Sequence, residues 1–180
     1  MGQKPNTTHG GISNNRRDGM TDSFDLFLGE WPRTIDDRFR LSLPPEWVEP
    51  LAGDTANCTL AKERPGCLSL WNTKQWQGWL SNGVELLQSK IRSGRLDRRT
   101  ESVQLVGRLL STRHYALPIA GRGRIAIPDA FREFLGVEPG GDVLIVGAAV
   151  CVEIWRPASW SQHIGDQMPG FRQLFDQLTE

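Results

Sequence analysis

A stretch beginning at Ile35, IDDRFRLSLPPEW, returns 84 positions later as IAGRGRIAIPDAF from Ile119. The register runs without a gap from 35 to 80. It superposes Arg38 on Arg122, Arg40 on Arg124, Pro44 on Pro128, Glu49 on Glu133, Leu51 on Leu135 and Leu60 on Leu144. Further on it places Cys67 on Cys151, Trp71 on Trp155 and Trp76 on Trp160. Ten identities in 46 positions are few, but an ungapped register that also aligns rare residues such as Cys and Trp marks a duplication. Whatever this chain folds into is built twice.

Each copy carries the same predicted elements. Residues 39–43 and 123–127 alternate apolar with small or basic side chains, the period of a half-buried strand. Pro44 and Pro128 end those strands and suit the first turn of short helices over 45–51 and 129–136, the second closed by Gly136. Strands are expected at 56–61 and 142–147 and again at 67–71 and 150–155, with Gly147-Ala148-Ala149 as a tight hairpin turn. Trp71-NTKQ-Trp76 and Trp155-RPAS-Trp160 each lead into a helix, with Thr73 and Ser159 as candidate caps. These Trp pairs account for much of a total of seven Trp against one Tyr, and they read as core anchors pinning each helix to its sheet. A longer helical segment over 84–112 joins the copies, with Gly94 and Gly107 as places where it can split.

Composition excludes more than it assigns. An apolar fraction of 38% and a charged fraction of 23% describe an ordinary globular chain. Cys58, Cys67 and Cys151 are odd in number and form no CxxC, which argues against a disulfide framework or a zinc site. His9, His114 and His163 have no triad or metal-ligand spacing, and Gly121 and Gly123 precede a strand rather than a helix, so no phosphate cradle forms. No enzyme activity and no cofactor are expected. The first 20 or so residues have no apolar stretch to serve as a leader and no membrane-length run follows, so the expected location is the cytoplasm. Residues 1–23, which include Arg16 and Arg17, read as a disordered arm.

A net charge of zero conceals an uneven distribution. Residues 85–124 carry nine Lys or Arg against three acids, and residues 125–180 carry three against eight. The first block suits a phosphate-facing surface or a solvated helix. In the two copies the strand entries are Asp36-Asp37-Arg38-Phe39-Arg40 and, inside that basic block, Ala120-Gly121-Arg122-Gly123-Arg124. An Asp four residues before an Arg is placed to pair with it across a tight loop and to fix the direction of the guanidinium. Arginines at i and i+2 on a strand share a face, so both can meet one DNA backbone or groove. An ion pair that only ties the turn is the other reading of a single copy; recurrence at the same two positions favours DNA.

A D-x-x-x-R loop, a strand and Pro, a short helix, a hairpin ending in Trp, and a second copy after a basic helical linker together resemble the MraZ family. That family belongs to the AbrB-like, swapped-hairpin transcription factors. The resemblance covers about residues 24–165 and is most specific in GRGRIAIPDAFREFLGV and VLIVGAAVCVEIW. It implies an α+β fold of two tandem AbrB-like half-barrels, a pseudo-dimeric swapped-hairpin β-barrel with short flanking helices. The corresponding organisation is an arm over 1–23, a first repeat over 24–83, a helical basic linker over 84–115, a second repeat over 116–165 and a C-terminal tail over 166–180. It also implies a nucleoid-associated regulator that binds short direct repeats of double-stranded DNA upstream of the division and cell-wall genes, as a homo-oligomeric ring. The implied DNA contacts are Asp36, Arg40 and Arg124, and we add Arg38 and Arg122 as phosphate contacts. Two positions depart from the family: Phe39 stands where Gly is usual, and Ala120 stands where an acid is usual. An AbrB-like interaction scaffold with weakened DNA binding is therefore the competing expectation. Self-assembly has independent support, because a unit offering two to four Arg binds weakly at cellular salt and gains effective concentration by closing into rings on repeated sites.

Overall fold

The computed structural model describes residues 26–96 and 98–180; the arm expected over 1–23 lies outside them. The order along the chain is β1 (Phe27–Thr34), β2 (Arg40–Ser42), α1 (Pro45–Ala52), β3 (Asn57–Arg64), β4 (Cys67–Asn72), α2 (Thr73–Arg92) and α3 (Thr100–Arg113). Then follow β5 (His114–Pro118), β6 (Arg124–Ala126), α4 (Asp129–Leu135), β7 (Asp142–Ala149), β8 (Val152–Trp155), α5 (Pro157–Gln167) and α6 (Phe171–Thr179). The fold is mixed α and β. Elements of the second half stand 84 positions after those of the first: β6 starts 84 residues after β2, and α4 84 after α1.

The strands form a six-stranded antiparallel sheet in the order β1-β7-β8-β4-β3-β5, and a two-stranded ribbon of β2 with β6. β1 of the first half pairs with β7 of the second, from Phe27↔Ala149 to Thr34↔Asp142. β5 of the second half pairs with β3 of the first, from Asn57↔Pro118 to Ala61↔His114. Two facing pairs are each other's counterparts at the 84-residue offset, Leu41↔Ile125 in the ribbon and Ser69↔Glu153 between β4 and β8. A pseudo-two-fold axis therefore passes through the centre of the ribbon and the centre of the sheet.

Period-2 alternation decides which side of the ribbon faces in. Leu41, Leu43, Ile125 and Ile127 are each at most 2% exposed and belong to one core with Leu60, Leu70, Ile145 and Ile154 of the sheet and Trp47 and Phe131 of the short helices. Burying each of those aliphatic side chains is worth about 1.5–3 kcal/mol. The Trp pairs do what the spacing predicts: Trp71 lies 5.7 Å from Trp76 and Trp155 lies 5.3 Å from Trp160, ring centre to ring centre. Their indoles are tied alike, Trp71 Nε1 donating to Ser69 Oγ and Trp155 Nε1 to Glu153 Oε2, both at 2.8 Å.

Several local expectations are corrected. The α2 cap is Asn72, whose side chain accepts from the amides of Lys74 and Gln75, and not Thr73. α5 starts after Arg156 with Pro157 at its first position, so Ser159 is no cap; its hydroxyl instead accepts from Arg156 Nε. Pro44 and Pro128 sit just before the helices rather than inside them. The β7–β8 turn falls one step later than Gly147-Ala148-Ala149, since β7 runs through Ala149 and the left-handed residue is Ala149 at φ 59°. Gly147 instead faces Gly29 on β1, and a Cβ on it would lie 2.5 Å from the Phe27 carbonyl. The connecting helix splits at Gly94 (φ 71°) but runs through Gly107, and α2 crosses residue 84 without a break. Residues 171–179 of the tail are helical.

Candidate nucleic-acid interface

With Leu41, Leu43, Ile125 and Ile127 turned inward, the outer side of the ribbon belongs to Arg40, Ser42, Arg124 and Ala126. Arg40 faces Ala126 and Arg124 faces Ser42. The two arginines are thus diagonal neighbours across the axis, at a spacing of about 7–8 Å between backbones. Both line one shallow depression of about 370 Å³, together with Tyr115 and Arg132.

The loops that feed the two strands share a backbone device. The Asp36 amide donates to the Arg40 carbonyl at 3.0 Å and the Phe39 amide to the Asp36 carbonyl at 3.0 Å. Their counterparts are Ala120 to Arg124 at 2.8 Å and Gly123 to Ala120 at 3.1 Å. The residue before the arginine takes a left-handed conformation in both, Phe39 at φ 55° and Gly123 at φ 78°. That geometry suits Gly, which has no Cβ to strain. In the first loop a bulky aromatic stands there, its ring stacked under Arg132, whose Cζ lies 4.1 Å from the ring centre.

Side-chain chemistry separates the loops. Asp36 Oδ2 accepts from Arg40 Nε at 2.7 Å, and Asp36 Oδ1 accepts from the amides of Arg38 and Arg40 at 2.9 Å. Desolvation works against the charged form of Asp36, but the two amides and the Arg40 guanidinium outweigh it and hold the carboxyl below its ordinary range. Arg40 is half-buried, and Arg38, Arg122 and Arg124 are exposed. Among the described residues the last three form no ion pair. The pairing of Asp36 with Arg40 foreseen from spacing is present, and nothing equivalent holds Arg124, because Ala120 offers only a methyl group.

Two cations of this surface escape sequence reasoning. Arg132 of α4 donates to the Ile127 carbonyl and pairs with Asp129 at 2.6 Å, which places it in the same depression as Arg40 and Arg124. Its i, i+3 acid was visible, but its approach to Phe39 depends on the two halves meeting. Arg33 of β1 donates through Nε to the Ser42 carbonyl at 3.3 Å, beside the ribbon. No period marked β1 as a strand.

Burial pushes the Cys58 and Cys151 thiols up to about 12, the carboxylate of Glu153 adding to the effect at Cys151, and Cys67 is driven up by the same two causes. Among the described residues no group of three or more His, Cys, Asp or Glu is placed to hold a metal ion, and no helix is long and apolar enough to cross a membrane.

A family model described as "MraZ protein, putative antitoxin-like" matches residues 115–177. Curated relatives named "Transcriptional regulator MraZ" align over most of the chain. The protein of Acetivibrio thermocellus is 28% identical over 154 residues, covering 86% of this chain and 97% of its own. That of Micrococcus luteus is 26% identical over 148 residues, 82% and 93% respectively. That of Thermomicrobium roseum is 28% identical over 136 residues, 76% and 85%.

Proposed function

We propose that this chain is a member of the MraZ family, which it resembles over most of its length, and a transcriptional regulator that binds double-stranded promoter DNA through the outer face of its β2–β6 ribbon. In this reading the strand exchange makes one chain the equivalent of an AbrB-like dimer, two half-barrels joined by α2 and α3, and the work is done at the nucleoid. The observation that carries it is the pair of outward, diagonal arginines, Arg40 and Arg124, set across a pseudo-two-fold axis on a rigid ribbon. Asp36, Arg38 and Arg122 complete the contact surface. Duplex DNA has its own two-fold symmetry, and a rigid two-strand ribbon carrying cations is a shape the major groove admits.

The proposed sites are short direct repeats upstream of the division and cell-wall gene cluster, occupied by a homo-oligomeric ring. Physical support for assembly comes from two exposed apolar faces. Phe171, Leu174, Phe175 and Leu178 form a stripe on α6 at i, i+3, i+4 and i+7, and each is more than half exposed. Trp79, Leu87, Val106 and Leu110 line a groove between α2 and α3. The groove lies on the basic helices and the stripe in the acidic C-terminal part of the chain. A patch that matches a different patch on a second copy generates a ring when the rotation between copies closes, and an open filament when it does not.

A gel shift on the chain's own upstream DNA tests the site. Wild type should bind, and Arg40→Ala with Arg124→Ala together should abolish binding while leaving the circular dichroism spectrum unchanged. Undiminished binding by the double variant removes the assignment. The Ala120 substitution favours one second reading, an interaction scaffold that has lost DNA; wild-type protein that binds no duplex would establish it.

A further inference from the structure

We infer that the two symmetry-related loops do different work on DNA, the Asp36–Arg40 loop reading a base edge and the Arg122–Arg124 loop gripping phosphates, so that one protomer recognises its duplex asymmetrically. This rests on the DNA reading above and specifies it.

The two loops share their closing backbone bonds and differ in the backbone at one position, Arg122 being left-handed at φ 61° where its equivalent Arg38 is not. Both loops close with the same pair of amide-to-carbonyl bonds and both place a left-handed residue before the arginine. Side chains differ at three of the five equivalent positions, Asp36 against Ala120, Asp37 against Gly121 and Phe39 against Gly123, and among the described residues only Asp36 is hydrogen-bonded to the arginine side chain of its own loop. With its Nε taken by Asp36 Oδ2, the Arg40 guanidinium has a fixed plane. Its two terminal nitrogens make no hydrogen bond to protein among the described residues. That free edge is the fork that fits the O6 and N7 acceptors of guanine. A base edge accepts only a narrow range of directions, so a guanidinium held in advance is suited to it. The pairing also removes net charge from the loop, since Asp36 and Asp37 balance Arg38 and Arg40.

The other loop has the opposite character. Arg122 and Arg124 carry two positive charges with no acid between residues 120 and 124. Both are exposed, and among the described residues neither side chain is hydrogen-bonded. A guanidinium with free rotamers can reach a phosphate oxygen from many directions, and a phosphate accepts it from most of them. The attraction of the protomer for the DNA backbone is therefore concentrated at the second loop, and its directional reading at the first.

The test uses the full chain and a randomised duplex library, with sequence-resolved affinities measured at several salt concentrations. Arg40→Lys keeps the charge and loses the fork. It should flatten one sharply preferred base pair by roughly 5- to 150-fold, the range of a bidentate contact, with little change in salt dependence. Arg124→Lys should bind nearly as wild type, and Arg124→Ala should weaken all sequences alike and lower the log–log salt slope by about 1 per protomer. Asp36→Ala is expected to flatten the same base pair while general affinity holds or rises, because an acid has gone; a merely structural part for Asp36 would lower both. Ala120→Asp should create a second sharp preference. Equal, base-selective losses from Arg40→Lys and Arg124→Lys, or an unchanged preference profile in Ala120→Asp, would overturn the asymmetry. Absence of any duplex binding by wild type would instead overturn the DNA reading itself.

Discussion

Positions 39 and 123 meet positions 132 and 48, their partners across the pseudo-two-fold axis, and the contact is built from different chemistry on each side. Gly123 sits at φ 78° with Val48 so near that a Cβ would fall 2.5 Å from its Cγ2. Phe39 accepts the same backbone conformation and stacks on Arg132. Left-handed backbone at a residue with a side chain costs about 1–3 kcal/mol, and overpacking a filled site costs a similar amount. Gly123→Ala should therefore lose about 2 kcal/mol or more, read as a lower urea midpoint at constant slope. Phe39→Gly should cost much less, because relief of the backbone offsets the lost stack. At Asp36 the sign of the pH dependence follows from its depressed pKa. The carboxylate tie is fully present at neutral pH and above the unfolded carboxylate range, and it is lost as pH falls through the lower folded value. The stability advantage of wild type over Asp36→Asn should accordingly be level near pH 7 and fade in acid from about pH 4 downward, vanishing below the lowered folded value; an advantage that persists in strong acid would mean that something other than the ionised carboxylate ties the loop.

At the scale of elements, helix starts are decided by where strands let go. Asn72 and Thr73 are both good caps by chemistry. Asn72 wins because it is the last ladder residue of β4, facing Cys58, and so has the extended backbone a cap requires. It also donates to the Pro50 carbonyl at 3.0 Å, linking α1 to α2. Asn72→Ala is expected to cost at least about 1 kcal/mol in chemical denaturation, and Ser159→Ala a few tenths. The strands the repeat marks clearly, β2 and β6, are amphipathic and alternate. β1 and β5 escape detection because they are edge strands with little periodicity. FLGEWPRT contains a Gly and a Pro that a central strand would exclude, and both are tolerated because, among the described residues, β1 pairs on one side only. Arg33 goes unnoticed for the same reason.

At the scale of the whole molecule, neither half is complete alone. Among the described residues β1 has its only partner in the second half and β5 its only partner in the first, and the core draws residues from both. Thermal unfolding should be a single transition by near- and far-ultraviolet circular dichroism alike. Fragments ending or starting in the 93–99 break should yield no folded monomer, only two-chain species, as sedimentation would detect. Folded monomer from either fragment would contradict the exchange of strands. Assembly is expected to depend on α6: Leu174→Asp with Phe175→Asp should leave the unfolding transition in place and reduce the mass in solution to one chain.

Within the residues themselves lay the duplication, the period of the ribbon strands, the Trp anchors and the pairing of Asp36 with Arg40, because each arises from neighbours a few positions apart or from a repeated pattern. The resemblance to a family of DNA-binding regulators was legible there too. Tertiary structure alone decided that strands cross between the copies, that Arg40 and Arg124 lie diagonally on one outer face, and that Arg132 joins them. Those facts depend on contacts between residues far apart in the chain, as Ala61 is from His114 and Phe27 from Ala149, and the energy that selects them is the burial of one core common to both halves, which no local pattern encodes.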